Sequence, residues 1–247
     1  MVAKGEDVER LAELAEPVFY RTRPFPCSYL PGRMESRILT VLSDDLADRG
    51  LFDILQRFGF RRSQRYLYRP ACENCQACVP VRIVAGDFTP NRTQRKQRRR
   101  NSDLKGSWYP AEASDALFDL FQRYENSRHI ESDMARMTAA DLTVMIEESP
   151  VDTRLYCLSD AEGVIHAACL VDVSDDGLSA VYSFFDPDDS KRSLGTELVV
   201  RLVEEARAML RPYVYLGYWV EACRKMAYKA QFDHLERLTG TRWSSYP

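Results

Sequence analysis

The chain has 247 residues, 45% of them hydrophobic and 29% charged, with a net charge of −3. This composition excludes a disordered chain, and the length suits one large or two modest domains with buried cores. No apolar run is long enough to cross a bilayer, and the start M-V-A-K-G-E-D-V-E-R has no apolar signal core, so a cytoplasmic protein without membrane contact is expected.

In chain order, residues 6–16 place Val8, Leu11 and Leu14 or Ala15 at helical spacing, and Pro17 stops the helix. Residues 18–32 are punctuated by Pro24, Pro26 and Pro31, which puts Cys27 and Arg33 on a loop of defined direction. A short strand is expected over 35–42 and a helix over 44–59, capped by Asp44 or Asp45 and stopped by Gly59. Strands follow at 65–69 and 79–84, with the triplet Cys72, Cys75, Cys78 in the connection between two strands of one small sheet. Residues 91–101 read as a helix capped by Asn91, so cationic all round that it has no apolar stripe with which to dock.

A domain boundary is expected near 104–106, giving an N-terminal domain at 1–104 and a second domain at 105–247. Residues 114–128 form an amphipathic helix on Leu117, Phe118, Leu120, Phe121 and Tyr124, and 138–148 a second. Strands at 153–158, 164–173 and 178–185 are joined by D-A-E-G and S-D-D-G turns. A long helix over 190–210, a buried strand at 213–216 and a final helix at 222–230 complete the order. The fold class expected is α+β, with an acetyltransferase-like (GNAT-type) C-terminal domain and a smaller α/β N-terminal domain.

The chemistry concentrates in four stretches. Seven cysteines, an odd number, in a chain without a signal segment argue against a disulfide framework. Cys72, Cys75 and Cys78, with Cys27 as the fourth ligand, would make a closed zinc or iron–sulfur site; the alternative is a set of partly buried structural thiols. Arg92, Arg95, Lys96, Arg98, Arg99 and Arg100, with no acid between 91 and 102, point to a phosphate backbone, and the alternative is a solvated face.

Asp186, delivered at a strand end before Pro187, suits an ammonium or serves as a turn residue capping the next helix. Residues 192–195 are half of an acetyltransferase pyrophosphate loop, but Glu197 stands where that loop ends in a small residue and would oppose a pyrophosphate. Lys225 and Lys229, four residues apart, share a helix face suited to an acidic side chain or an RNA terminus. His129, His166 and His234 show no ligand spacing, and no Ser-His-Asp order or P-loop is present.

The strings C-S-Y-L-P-G-R at 27–33, G-F-R-R-S at 59–63 and Y-R-P-A-C-E-N-C-Q-A-C-V-P-V-R at 68–82 are joined by D-G-L-S-A-V-Y-S-F-F-D-P at 176–187 and S-L-G at 193–195. Y-V-Y-L-G-Y-W at 213–219 and K-M-A-Y-K-A at 225–230 complete the set. Together, from about residue 19 to 243, they resemble the bacterial aspartate/glutamate leucyltransferases, relatives of the eukaryotic arginyltransferases of the N-degron pathway. One departure is His234, where that family has proline.

The resemblance implies transfer of leucine from leucyl-tRNA to the α-amino group of proteins beginning with Asp or Glu, marking them for degradation. An aminoacyl ester is already activated, so the transfer requires no cofactor. The acceptor amine, with a pKa of roughly 7.7 to 8.0, needs little base assistance. On this reading residues 92–100 bind tRNA, and Tyr182, Asp186 and Tyr218 surround the reacting amine. Arg33, Lys225 or Lys229 pairs with the acceptor's acidic side chain, and an iron–sulfur cluster or zinc at Cys27, Cys72, Cys75 and Cys78 is an optional addition. Competing readings are an acetyl-CoA-dependent N-acetyltransferase and a metal-containing RNA-binding protein without catalysis.

Overall fold

A computed structural model describes residues 17–43, 46–128 and 130–246. The helix expected at 6–16 lies outside the described residues.

The N-terminal half runs β1 (Tyr20–Arg21), β2 (Phe25–Pro26), β3 (Met34–Glu35), β4 (Arg37–Val41), α1 (Leu46–Arg57), β5 (Arg61–Ser63), β6 (Tyr66–Pro70), β7 (Val79–Val84) and α2 (Arg92–Arg100). The C-terminal half runs β8 (Lys105–Pro110), α3 (Asp115–Arg128), α4 (Ala139–Glu147), β9 (Thr153–Ser159), β10 (Ile165–Val173), β11 (Gly177–Phe185), α5 (Leu194–Ala208), β12 (Tyr213–Trp219), β13 (Leu235–Thr239) and β14 (Arg242–Ser245).

Among the described residues the strands form a four-stranded sheet, β1-β4-β6-β5, the pair β2-β3, and an eight-stranded sheet, β14-β13-β7-β12-β11-β10-β9-β8. The large sheet takes strands from both sides of residue 104, because β7 lies between β12 and β13, antiparallel to both. The cysteine triplet therefore does not join two strands of one small sheet. It crosses from β6 in the small sheet to β7 in the large one. β7 is apolar enough to be a central strand, with Pro80 to Ile83 buried, and no local signal says which sheet receives it.

Alternation along β10 separates two cores. Ala167, Cys169 and Val171 pack with Leu198, Leu202 and Val203 of α5. Ala168 and Leu170 pack with Leu117, Leu120 and Phe121 of α3 and Leu142 and Ile146 of α4. Helices thus cover both faces of the sheet, which is why β9 and β10 read as nearly continuous apolar runs.

Three other departures from the sequence expectation have local causes. The helix expected over 190–210 begins as a short 3₁₀ turn, and Ser193 takes φ 51° before α5 starts at Leu194. The helix expected at 222–230 is a turn followed by a 3₁₀ segment at Ala227–Gln231, in which Lys229 is buried. Beyond it, His234 takes φ 50°, a conformation a proline ring forbids, and the chain enters the hairpin β13–β14, which the sequence reading did not contain.

Candidate active site

The site is made by two neighbouring parallel strands that part. β11 and β12 pair only through Gly177–Tyr213, Leu178–Val214 and Ser179–Tyr215. Beyond that point β11 follows β10 and β12 follows β7, so a wedge opens between them. Backbone carbonyls left without a ladder partner in such a wedge need donors. Two cations supply them.

Arg61 donates to Ala180 O at 2.7 Å and Val181 O at 3.1 Å on β11. Lys229 Nζ donates to Leu216 O and Tyr218 O on β12, both at 2.7 Å. Gly217 sits between, at φ 75°, and a Cβ there would lie 2.8 Å from the Arg61 guanidinium carbon. Only glycine allows the guanidinium to lie so close to the β12 backbone.

The wedge encloses a cavity of about 490 Å³, lined among others by Tyr29, Glu125, Tyr182, Tyr218, Lys225 and Lys229. A second cavity of about 390 Å³ lies at the start of α5 and shares Tyr124, Ser183, Lys225 and Tyr228 with the first, so the two form one cleft. Burial pushes the Tyr124 and Tyr228 phenols up to about 12. Tyr182 is raised further by burial and by the Glu125 carboxylate that accepts its hydroxyl proton. Burial likewise raises Tyr218, whose hydroxyl faces the carbonyls of Gly59 at 2.9 Å and Tyr68 at 3.2 Å. Near neutral pH these phenols stay protonated and act as donors, not bases. Lys229 moves the other way, held down to about 7 by burial and by the neighbouring Arg61 guanidinium.

The sequence-derived residues divide. Tyr182, Tyr218, Lys225 and Lys229 meet in the cleft. Asp186 is not among the residues lining it; its carboxylate pairs with Arg123 at 3.1 Å and accepts the backbone N–H of Asp188 at 3.0 Å. Arg33 is apart from the two lysines, donating to Cys75 Sγ at 3.5 Å in an adjoining pocket. The segment 27–30 is the partition, with Ser28 and Tyr29 lining the cleft and Cys27 and Leu30 the adjoining pocket.

That pocket, about 360 Å³, gathers Cys27, Cys72, Cys75 and Cys78. Their thiols are nevertheless engaged separately, Cys72 with Ser36 O at 3.8 Å and Cys75 with Arg33. Burial, with Glu35 and the other thiols nearby, pushes Cys78 up to about 12. Among the described residues no group of three or more His, Cys, Asp or Glu side chains has the spacing to hold a metal ion. The zinc or iron–sulfur centre expected from the cysteine spacing is thus not supported by the arrangement of its ligands.

α2 has two faces. Asn91 caps it through a capping box with Gln94. Gln94 and Asn101 are buried, and Arg98 reaches Glu197 at 2.9 Å and also pairs with Glu204. The helix therefore docks on α5 through a polar stripe, which the sequence reading did not foresee. Glu197, expected to oppose a pyrophosphate, is buried in the first turn of α5, where it faces α2 and is neutralised by Arg98 and by Arg201 at 2.7 Å. Arg95 and Arg100 donate to the carbonyls of Pro90 and Lys191. Arg92, Arg95, Lys96 and Arg99, at spacings of three and four, form the exposed face.

The cleft also contains Arg61, Tyr29, Tyr68 and Glu125, which sequence reasoning did not select. Glu125 carried a readable signal, being an acid in register with Leu117 and Phe121 on the apolar stripe of α3.

A chain with a large mixed sheet, a wedge between parallel strands and a cationic helix beside it has close counterparts by sequence. The family description "Arginine-tRNA-protein transferase, C terminus" matches residues 116–239, and "Arginine-tRNA-protein transferase, N terminus" matches residues 25–96. The chain belongs to the arginine-tRNA-protein transferase family and is an aminoacyl-tRNA–protein transferase.

Its relatives include an aspartate/glutamate leucyltransferase of Paramagnetospirillum magneticum, 50% identical and covering 92% of this chain and 93% of the relative. Proteins of the same name from Parvibaculum lavamentivorans and Gluconacetobacter diazotrophicus are 48% and 45% identical, covering 94% and 92% of this chain and 95% and 87% of theirs. Among solved structures, L-PGS from Bacillus licheniformis overlaps 88% of this chain and 77% of its own at 11% identity, with a TM-score of 0.46.

Proposed function

We propose that the protein transfers leucine from leucyl-tRNA to the N-terminal α-amino group of proteins beginning with Asp or Glu, marking them for degradation in the cytoplasm. The observation that carries this reading is the family match joined to a cleft of donor groups between parting strands. The catalytic domain is acetyltransferase-like on this view, with an aminoacyl-tRNA in place of an acyl-CoA.

In the reaction the neutral acceptor amine attacks the ester carbonyl carbon, forming a C–N bond. The ester C–O bond breaks, and the one proton that the amine sheds on becoming an amide ends on the departing terminal ribose oxygen, with none left over. No redox partner or nucleotide hydrolysis is required. Rate enhancement then comes chiefly from holding two substrates together, with Tyr182 and Tyr218, whose hydroxyls already donate to Glu125 and to the Gly59 carbonyl, as walls that flank the reacting groups. Lys225, at the junction of the two cavities, is the group of the expected set best placed for the acceptor's carboxylate. The exposed cations Arg92, Arg95, Lys96 and Arg99 of α2 take the tRNA backbone, while Arg98 serves the fold.

The test offers peptides starting with Asp, Glu or Arg to the protein with separately charged leucyl-, arginyl- and phenylalanyl-tRNA, and reads product mass. Leucine added to the Asp and Glu peptides alone is the expected result. Arginine transfer, or acetyl transfer from acetyl-CoA without tRNA, overturns the reading.

A further inference from the structure

A fully buried carboxylate, that of Glu125, lines the cleft. The residue sits on α3, one turn beyond Phe121. It accepts the hydroxyl of Tyr182 and, at 3.4 Å, that of Ser132, both of them neutral donors. Among the described residues it forms no ion pair. Arg123 is paired with Asp186 and Asp188, and Arg128 lies 5.3 Å over the ring of Phe185. Lys229 of the same cleft is spent on the carbonyls of Leu216 and Tyr218.

A buried carboxylate with hydroxyl donors but no counter-charge is costly, because two neutral hydrogen bonds do not replace its hydration. Arg61 of the same cleft is committed to the carbonyls of Ala180 and Val181, and Lys225, which also lines it, makes no ion pair with Glu125. The site therefore suits a cation that enters through the cleft. Both substrates of an aminoacyl-tRNA–protein transferase carry a primary ammonium, and they differ in what must happen to it. The acceptor amine attacks only when neutral, and a carboxylate beside it raises its pKa and depletes the neutral form. The donor's ammonium takes no part in bond making and can remain charged throughout.

We propose that Glu125, oriented by Tyr182, binds the α-ammonium of the aminoacyl group on the donor tRNA, an assignment that rests on the cleft being the leucyl-tRNA site. Gripping that ammonium fixes the carbon next to the ester carbonyl and so sets the face open to attack. The site then reads the free α-amino group of the donor and rejects a blocked one.

The experiment compares leucyl-tRNA with N-acetyl-leucyl-tRNA as donors at saturating Asp-starting peptide, measuring donor kcat/KM for the wild type, Glu125→Gln and Tyr182→Phe. The wild type is expected to prefer the free amine by about tenfold or more, and Glu125→Gln to reduce that preference by about tenfold with peptide KM unchanged. Tyr182→Phe, which keeps the carboxylate but removes its orienting donor, falls between. Equal preference in the wild type and Glu125→Gln, or a change confined to peptide KM, overturns the assignment. If Glu125→Gln does not fold, Glu125→Asp, which draws the charge back by one methylene, is read in the same assay, and an unaltered preference overturns it equally. A wild type that moves no leucine from either donor refutes the leucyl-tRNA reading itself, whereas transfer with unchanged preference refutes only the role of Glu125.

Discussion

Lys229 shows how one side chain can hold a wedge open. Its amine spans two β12 carbonyls, Leu216 and Tyr218, while the bulged Gly217 between them leaves room for Arg61 from the other side. With its pKa lowered from 10.5 to about 7, the folded protein releases this proton over a range in which the unfolded chain still holds it. The unfolded state then binds more protons between about pH 7 and the unfolded pKa near 10.4, so stability from this group rises with pH across that window. Below about pH 7 both states are protonated and the full burial cost remains. Urea unfolding of the wild type and Lys229→Met is expected to show the wild type gaining on the variant as pH climbs from about 7 to about 10. A constant difference would mean that the amine is charged throughout.

At the scale of elements, the cations of α2 proposed to meet tRNA and the one that serves the fold separate by helical phase. Arg92, Lys96 and Arg99 fall on the exposed face, and Arg98 on the face that meets Glu197 and Glu204 of α5. Charge reversal at any of the first three is expected to weaken tRNA binding, and substitution by Ala to reduce the salt-dependence slope by about one unit per lost phosphate contact, with melting unchanged. Arg98→Ala is expected to lower the melting temperature, since it removes one of the two cations on buried Glu197. Filter binding against salt, paired with a thermal melt of each variant, separates the two faces.

At the scale of the molecule, the small sheet is fastened to the large one by buried polar contacts. Arg62 on β5 makes a bidentate pair with Asp172 on β10, with both N–O contacts at 2.7 Å and both side chains essentially without solvent. Gln56 bonds Ser174 at 2.8 Å, and Trp243 Nε1 donates to Arg57 O at 2.9 Å alongside them. Removing one partner of such a pair strands the other, so Arg62→Ala is expected to cost about 3–5 kcal/mol in denaturant unfolding. The double variant Arg62→Met with Asp172→Leu is expected to recover much of that loss, because no isolated charge remains. If the double variant is no more stable than Arg62→Ala, the pair is not what fastens the sheets.

The sequence by itself determined the elements whose hydrophobic period is strong: α3, α4, β9, β10 and β11 stand where the apolar spacing puts them, and the Asn91 cap starts α2 as expected. It also carried the family, because motif strings survive without reference to contacts. Tertiary structure decided everything that depends on who pairs with whom. The insertion of β7 between β12 and β13 is a long-range choice, and so are the burial of Glu197, the pairing of Asp186 with Arg123 and the partition of Arg33 from Lys225. Periodicity reports which face of an element is buried, not which partner buries it. The wedge itself belongs to that second kind, since two strands part there only because β10 and β7 draw them in different directions, leaving Arg61 and Lys229 to satisfy the carbonyls between.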